Sequence, residues 1–168
     1  MKNSIFAILL LFLAFLSCGR DEDSIQKIDQ ILNFYMKDAV GNDLLKPNEI
    51  GAFTTITMND MLAPIDNAPV SSSRKATVDS INYIEYIAGA TRELVDGSDT
   101  ENRTYRSKIR LALTKKLTDS TFSDPVNDTL EIFYRYTPQV FEVSEVKYNQ
   151  QSVFTKVPDQ PNVVTIIK

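Results

Sequence analysis

Between Tyr105 and Leu113 the chain changes character at every second residue. Tyr105, Ser107, Ile109, Leu111 and Leu113 form one row, and Arg106, Lys108 and Arg110 lie between them in the other. Side chains of an extended strand point alternately to opposite faces, so a period of two sends one row to a core and the other to water. A slip of one residue would carry the whole apolar row into solvent, which ties the strand to a single register. Such a segment requires a sheet around it and an apolar layer beneath it.

The same period returns along the chain. Leu32, Phe34 and Met36 alternate with Asn33, Tyr35 and Lys37, and Leu130, Ile132, Tyr134 and Tyr136 alternate with Glu131, Phe133 and Arg135. Segments 52–58, 81–87, 140–148, 153–154 and 163–168 read as further strands, rich in β-branched and aromatic residues. The last of them is expected within the sheet, since Ile166 and Ile167 would otherwise be exposed. Turn chemistry separates the segments: Gly41-Asn42, Asp96-Gly97-Ser98-Asp99, Asp124-Pro125 and Asn149-Gln150-Gln151. Ile25, Ile28 and Leu32 recur at helical spacing and allow one short helix. Residues 59–77, with Pro64, Pro69, Ser71-Ser72-Ser73 and Arg74-Lys75, read as a long loop, either a binding loop or merely a mobile one. About seven or eight short strands with little helix predict an all-β domain over residues 31–168, a single antiparallel β-sandwich or a partly open barrel.

The leading segment is of another kind. Met1-Lys2-Asn3-Ser4 precedes an unbroken apolar run from Ile5 to Leu16, then Ser17 and Cys18. That order of charge, apolar run and small residue before a cysteine is the grammar of a bacterial lipoprotein signal, although Phe15 stands where Leu or another aliphatic is usual. An ordinary signal peptide or an anchoring helix is the plainer reading. The run is short for a spanning helix, and polar residues follow at once. Cys18 is the only cysteine. A disulfide within the chain is therefore ruled out, and the sulfur is expected to carry a diacylglyceryl group. The expected organisation is a cleaved signal over residues 1–17, a lipidated Cys18 with an acidic tether over 18–30, and the β domain beyond. Two or more acyl chains, at about 0.8 kcal/mol for each buried methylene, suffice for stable anchoring.

Gly19-Arg20-Asp21-Glu22-Asp23 follows the anchor. Asp21, Glu22 and Asp23 resemble the acidic export tag that carries lipoproteins to the outer face of the outer membrane; a solvated tether is the alternative. The expected location is the outer membrane, lipid-anchored and facing the exterior. The chain carries 18 Lys and Arg against 22 Asp and Glu, a net of −4, and Lys2 lies in the leading segment. Such a balance argues against nucleic-acid binding and against attachment to acidic lipid heads by charge, so the membrane is met through the lipid.

There is no His and no second thiol. Zinc sites of His and Cys, Ser-His-Asp triads and Cys-His dyads are excluded. No metal-ligand set and no cofactor motif is present. Carboxylates, Lys, Tyr and Ser remain, in no recognisable catalytic pattern, and no catalytic residue is assigned.

Residues 103–116 hold six basic side chains and no acid. Arg106, Lys108 and Arg110 make a candidate binding face for a phosphate-bearing lipid polysaccharide or an acidic glycan; basic rows also commonly blunt a sheet edge. Four tripeptides fit a loose Asp-Ser/Thr-aliphatic-type acceptor of periplasmic O-glycosylation, with Ser24, Ser80, Ser120 and Thr129 as acceptors. All but one lie at expected turn-to-strand boundaries or in the tether. The acids of segment 38–43 lack the alternate spacing of a calcium loop and read instead as a hydrogen-bonded turn.

Lys37-Asp38-Ala39-Val40-Gly41-Asn42-Asp43-Leu44-Leu45-Lys46-Pro47, then Asp128-Thr129-Leu130-Glu131-Ile132, then Val146-Lys147-Tyr148-Asn149 before Ile166-Ile167-Lys168, resemble a group of small Gram-negative surface lipoproteins of unknown function. In that group an Asp-x-x-Gly-Asn-Asp-Leu-Leu segment follows the first strand and a Tyr-Asn turn precedes the last hairpin. The resemblance implies a secreted β-sandwich and brings no catalytic residue. The expectation is a binding or accessory component of an envelope assembly, with a protein or glycan partner at the cell surface. A carboxylate-based enzyme on an extracellular polymer and a purely structural envelope protein are the alternatives.

Overall fold

The computed structural model describes residues 25–168, which form eleven strands and no helix. They are β1 (Lys27–Asp29), β2 (Leu32–Lys37), β3 (Phe53–Asp60), β4 (Ser73–Ala76), β5 (Asn82–Tyr86), β6 (Glu93–Asp96), β7 (Arg103–Lys115), β8 (Val126–Tyr136), β9 (Val140–Tyr148), β10 (Gln151–Thr155) and β11 (Asn162–Ile167).

Two sheets face each other. The larger runs β1-β9-β8-β7-β3, with β10 also on the edge of β9 and β6 on the edge of β7. It curls into a half-barrel. Register shifts mark where it bends: between Phe133 and Tyr134 on β8 against β9, and between Phe53 and Thr55 on β3 against β7. An extra residue on one strand increases local twist, which a closing sheet needs. The smaller sheet runs β11-β2-β5-β4.

The core is what alternation demands. Ile109, Leu111, Leu113, Leu130, Ile132 and Tyr134 point inward from the curled sheet, and Leu32, Phe34, Met36, Ile84, Tyr86, Val164 and Ile166 meet them from the smaller one. Each fully buried aliphatic side chain contributes about 1.5–3 kcal/mol of transfer free energy. Ser107, on the inward row of β7, is completely buried, and its hydroxyl donates to the Thr91 carbonyl at 2.8 Å. A polar atom in the core thus finds its partner.

Four sequence expectations change. The sandwich is not wholly antiparallel: β1 pairs with β9 and β11 with β2 in parallel. Both pairs involve strands near the chain's ends, which can dock on an open edge without a crossover helix between neighbours. The helical spacing from Ile25 to Leu32 gives no helix. Lys27–Asp29 is extended because the edge of β9 offers unpaired backbone groups, and Ile28 lies opposite Phe141. Residues 59–77 are less irregular than expected: Pro69 bridges back to Asn59, and Ser73–Ala76 forms the edge strand β4. The last strand is an edge and not an interior strand. Alternation settles Ile166 and Ile167 differently, the first 2% exposed and the second 60%.

Segment 38–43 is a hydrogen-bonded turn. Asp38 Oδ1 accepts from the backbone N–H of Val40 and Asn42, and Gly41 takes the positive φ (93°) that closes it.

Candidate functional site

The outward rows of β7, β8 and β9 are aligned by register. Lys108 lies opposite Glu131, and Glu131 opposite Lys147; Asn59 of β3 lies opposite Arg110, and Arg110 opposite Thr129; Ala112 lies opposite Asn127. Alternation places these residues on the face away from the core, and pairing sets them side by side.

Three hollows lie along this face. The largest, about 800 Å³, is lined by Lys108, Asn127, Thr129, Glu131, Lys147, Asn149 and Gln150. A second, about 520 Å³, shares Asn127 with the first and runs past Arg110 to Asn67 and Pro69. A third, about 230 Å³, shares Asn59 and Arg110 with the second and is flanked by Ala63, Ile65 and Asp66 of the loop. The shared residues join them into one polar trough. Loop 59–69 forms one wall, and the outward row of β7 crosses the floor.

The basic row does not act as one unit. The Arg106 guanidinium is engaged by Glu93 of the neighbouring strand, its Nε donating to Oε1 at 2.8 Å. Lys108 Nζ lies 3.5 Å from Glu131, whose carboxylate also stands 3.9 Å from Arg106. Arg110 is exposed and has no ion pair among the described residues. Lys147 lies over the Phe133 ring at 4.9 Å, with its ammonium 3.8 Å from Glu145. The remaining basic residues of segment 103–116 point elsewhere: Arg103 covers Tyr136, Lys115 covers Phe53, and Lys116 donates to the Asn48 carbonyl.

Two carboxylates beside the trough, Asp60 and Asp128, have their pKa lowered. Burial would raise the Asp60 pKa, but hydrogen bonds from Thr91 N–H at 2.6 Å and Leu62 N–H at 2.9 Å outweigh it and lower it below the usual value. Asp128, behind the trough floor, is treated alike: burial raises it, and donors from Asn149, Lys168 and Tyr148 together bring it down. Among the described residues no group of three His, Cys, Asp or Glu is placed to hold a metal.

The other site residues fall as follows. Ser80 is exposed in the turn between β4 and β5 with φ 61°, and Ser120 is exposed in the turn before β8. Thr129 stands within β8 and not at its start, because β8 begins at Val126, inside the expected turn. Its backbone N–H donates to Asn149 Oδ1 at 2.8 Å, and its side chain lines the trough. The structure does not bring the three acceptors together. Cys18, Asp21, Glu22, Asp23 and Ser24 lie outside the described residues.

Glu93, Glu131, Lys147 and the amides Asn59, Asn67, Asn127 and Asn149 were not marked by sequence reasoning. The spacing of Asn127, Thr129 and Glu131 already put them on one face. Which strand would lie beside them was not written there.

No protein-family model matches this chain, and no match is found among the curated proteins or the solved structures.

Proposed function

We propose that this chain is a lipid-anchored protein of the outer membrane, facing the cell exterior, that binds an extended acidic glycan along the outer trough and does no chemistry on it. The observation that carries the reading is the junction at Arg110. There the basic row and the 59–69 loop, far apart in sequence, line the same hollows. Side-chain amides donate and accept at once, as sugar hydroxyls do, and an unpaired guanidinium matches a carboxylate or phosphate. The anchor follows from the segment ending at Cys18. The binding-only reading is supported by Asp60 and Asp128, the two shifted carboxylates beside the trough, both of which move downward. A general acid at neutral pH needs the opposite shift.

The test uses the full-length chain in non-ionic detergent, passed over immobilised polygalacturonate and over neutral dextran. Retention on the acidic polymer, weakened by salt and abolished by Lys108→Glu together with Arg110→Glu, is the expected result. Equal retention of the parent and the double variant would remove the trough from the account.

A further inference from the structure

The inner face of the curled sheet is not fully covered at the end where β8 passes into β9. A hollow of about 460 Å³ remains there, lined by Gln26, Ile28, Gln30, Arg92, Tyr105, Tyr136 and Phe141. Its walls follow from register: Ile28 lies opposite Phe141, and Phe141 opposite Tyr136, while Tyr105 meets Tyr136 edge to face with centroids 6.4 Å apart. That volume lies in the range of about 300–1,000 Å³ usual for small-molecule sites.

Arg92 is the one charged side chain of this lining. Its guanidinium stacks over Tyr134 at 4.7 Å and over Phe141 at 4.8 Å. Its hydrogen bond among the described residues runs from Nη2 to Gln30 Oε1 at 2.6 Å. The Nε is buried without an acceptor, and no carboxylate of the described residues pairs with the group. Tyr134 and Phe141 stack on each other with centroids 5.4 Å apart, and a guanidinium laid over such a pair with no paired carboxylate among the described residues is oriented for an anion.

We propose that this hollow binds a small anion with a flat apolar body, of which an aromatic carboxylate is the simplest member. The carboxylate meets the open edge of Arg92 beside Gln30, and the ring lies along Tyr105, Tyr136, Phe141 and Ile28. An uncharged analogue would bury the same apolar area but leave Arg92 unpaired, so the site discriminates by charge. The hollow is on the sheet face opposite the outer trough, and the proposal does not rest on a glycan binding there.

Isothermal titration of the full-length chain in non-ionic detergent, against a protein-free blank, tests this with 3-phenylpropionate, 3-phenylpropanol and acetate. For so small a probe the expected Kd for 3-phenylpropionate is about 1 mM, with the alcohol and acetate weaker by about tenfold or more. Arg92→Met should weaken 3-phenylpropionate by about tenfold. Ile28, 63% exposed, tolerates change. Ile28→Glu should therefore weaken the acid and Ile28→Lys should hold or tighten it, while Arg110→Glu leaves it unchanged. No binding at 3-phenylpropionate concentrations up to about 10 mM overturns the proposal, as does equal binding of acid and alcohol or indifference to Arg92→Met. Should Arg92→Met fail to fold by circular dichroism, the Ile28 pair decides: equal affinities of the Glu and Lys variants overturn it.

Discussion

Asp43 and Asn82 are joined twice through one carboxylate oxygen. Asp43 Oδ2 accepts from the backbone N–H of Asn82 at 2.9 Å and from its side-chain amide at 2.8 Å, while Oδ1 accepts from Leu45 N–H at 2.8 Å. Asn82 is buried and opens β5, and Asp43 lies in the connection from β2 to β3. The Asp-x-x-Gly-Asn-Asp-Leu-Leu segment therefore clips a connection onto the smaller sheet. Its two acids are used on the protein's own amides.

Asp43→Ala should cost about 2–3 kcal/mol, because it strips two donors of a buried residue of their acceptor. Asp38→Ala, which loosens only an exposed turn, should cost less. Urea unfolding of the two variants checks the order, and equal losses would show that the clip to Asn82 contributes little.

Leu111 is fully buried on the inward row of β7, and Arg110 beside it faces the trough. Leu111→Asp should prevent stable folding, since an unpaired carboxylate in that layer costs several kcal/mol. Arg110→Asp should fall within about 0.5 kcal/mol of the parent. Thermal unfolding separates the two, and similar behaviour would mean that the facing of β7 is wrong.

The lowered Asp128 pKa implies an acid-sensitive contribution to stability. Burial opposes its ionisation, yet the donors from Asn149, Lys168 and Tyr148 prevail. The unfolded chain takes up this proton near pH 3.9 and the folded one only at lower pH. The contribution is thus complete well above about pH 4 and is lost as pH falls through the folded value. The stability gap between the parent and Asp128→Asn should be largest near neutrality and shrink steadily below about pH 4. A gap unchanged in urea titrations at pH 7 and pH 3 would contradict this assignment. Tyr148, pushed up by burial and by the Asp128 carboxylate, stays protonated as a donor throughout.

Cys18→Ala should abolish fatty-acid labelling and leave the precursor uncut. Replacing Asp21, Glu22 and Asp23 by Ala should leave the protein lipidated but shielded from external protease on intact cells. Recovery of an acylated Cys18→Ala protein would end the anchoring argument. Equal protease sensitivity of the triple variant and the parent would reduce the acids to a tether.

Much of the fold could be read from spacing alone. The rows of β2, β7 and β8 were recognisable because a strand with one wet face and one dry face must alternate, and each row's facing follows from its own residues. Lys27–Asp29, Ser73–Ala76 and Glu93–Asp96 were not recognisable. Short edge strands bury little, so they carry no apolar pattern; they extend because a neighbour offers free backbone groups.

The all-β class and the outward setting of Arg106, Lys108 and Arg110 follow from residue spacing alone, and composition shows no His and a single thiol in these 168 residues. Which of those cations is left unpaired depends on the strands and loops that fold up beside them. Arg106 is neutralised by Glu93 and Lys108 sits beside Glu131, whereas Arg110, in a hollow it shares with Asp60 and Asp66, makes no ion pair among the described residues. The tertiary structure also placed Arg92 against Tyr134 and Phe141, more than forty positions along the chain. Facing is a local property, fixed by the pleat of one strand, while pairing depends on which strands become neighbours and in what register, and that is settled by burying the whole core at once.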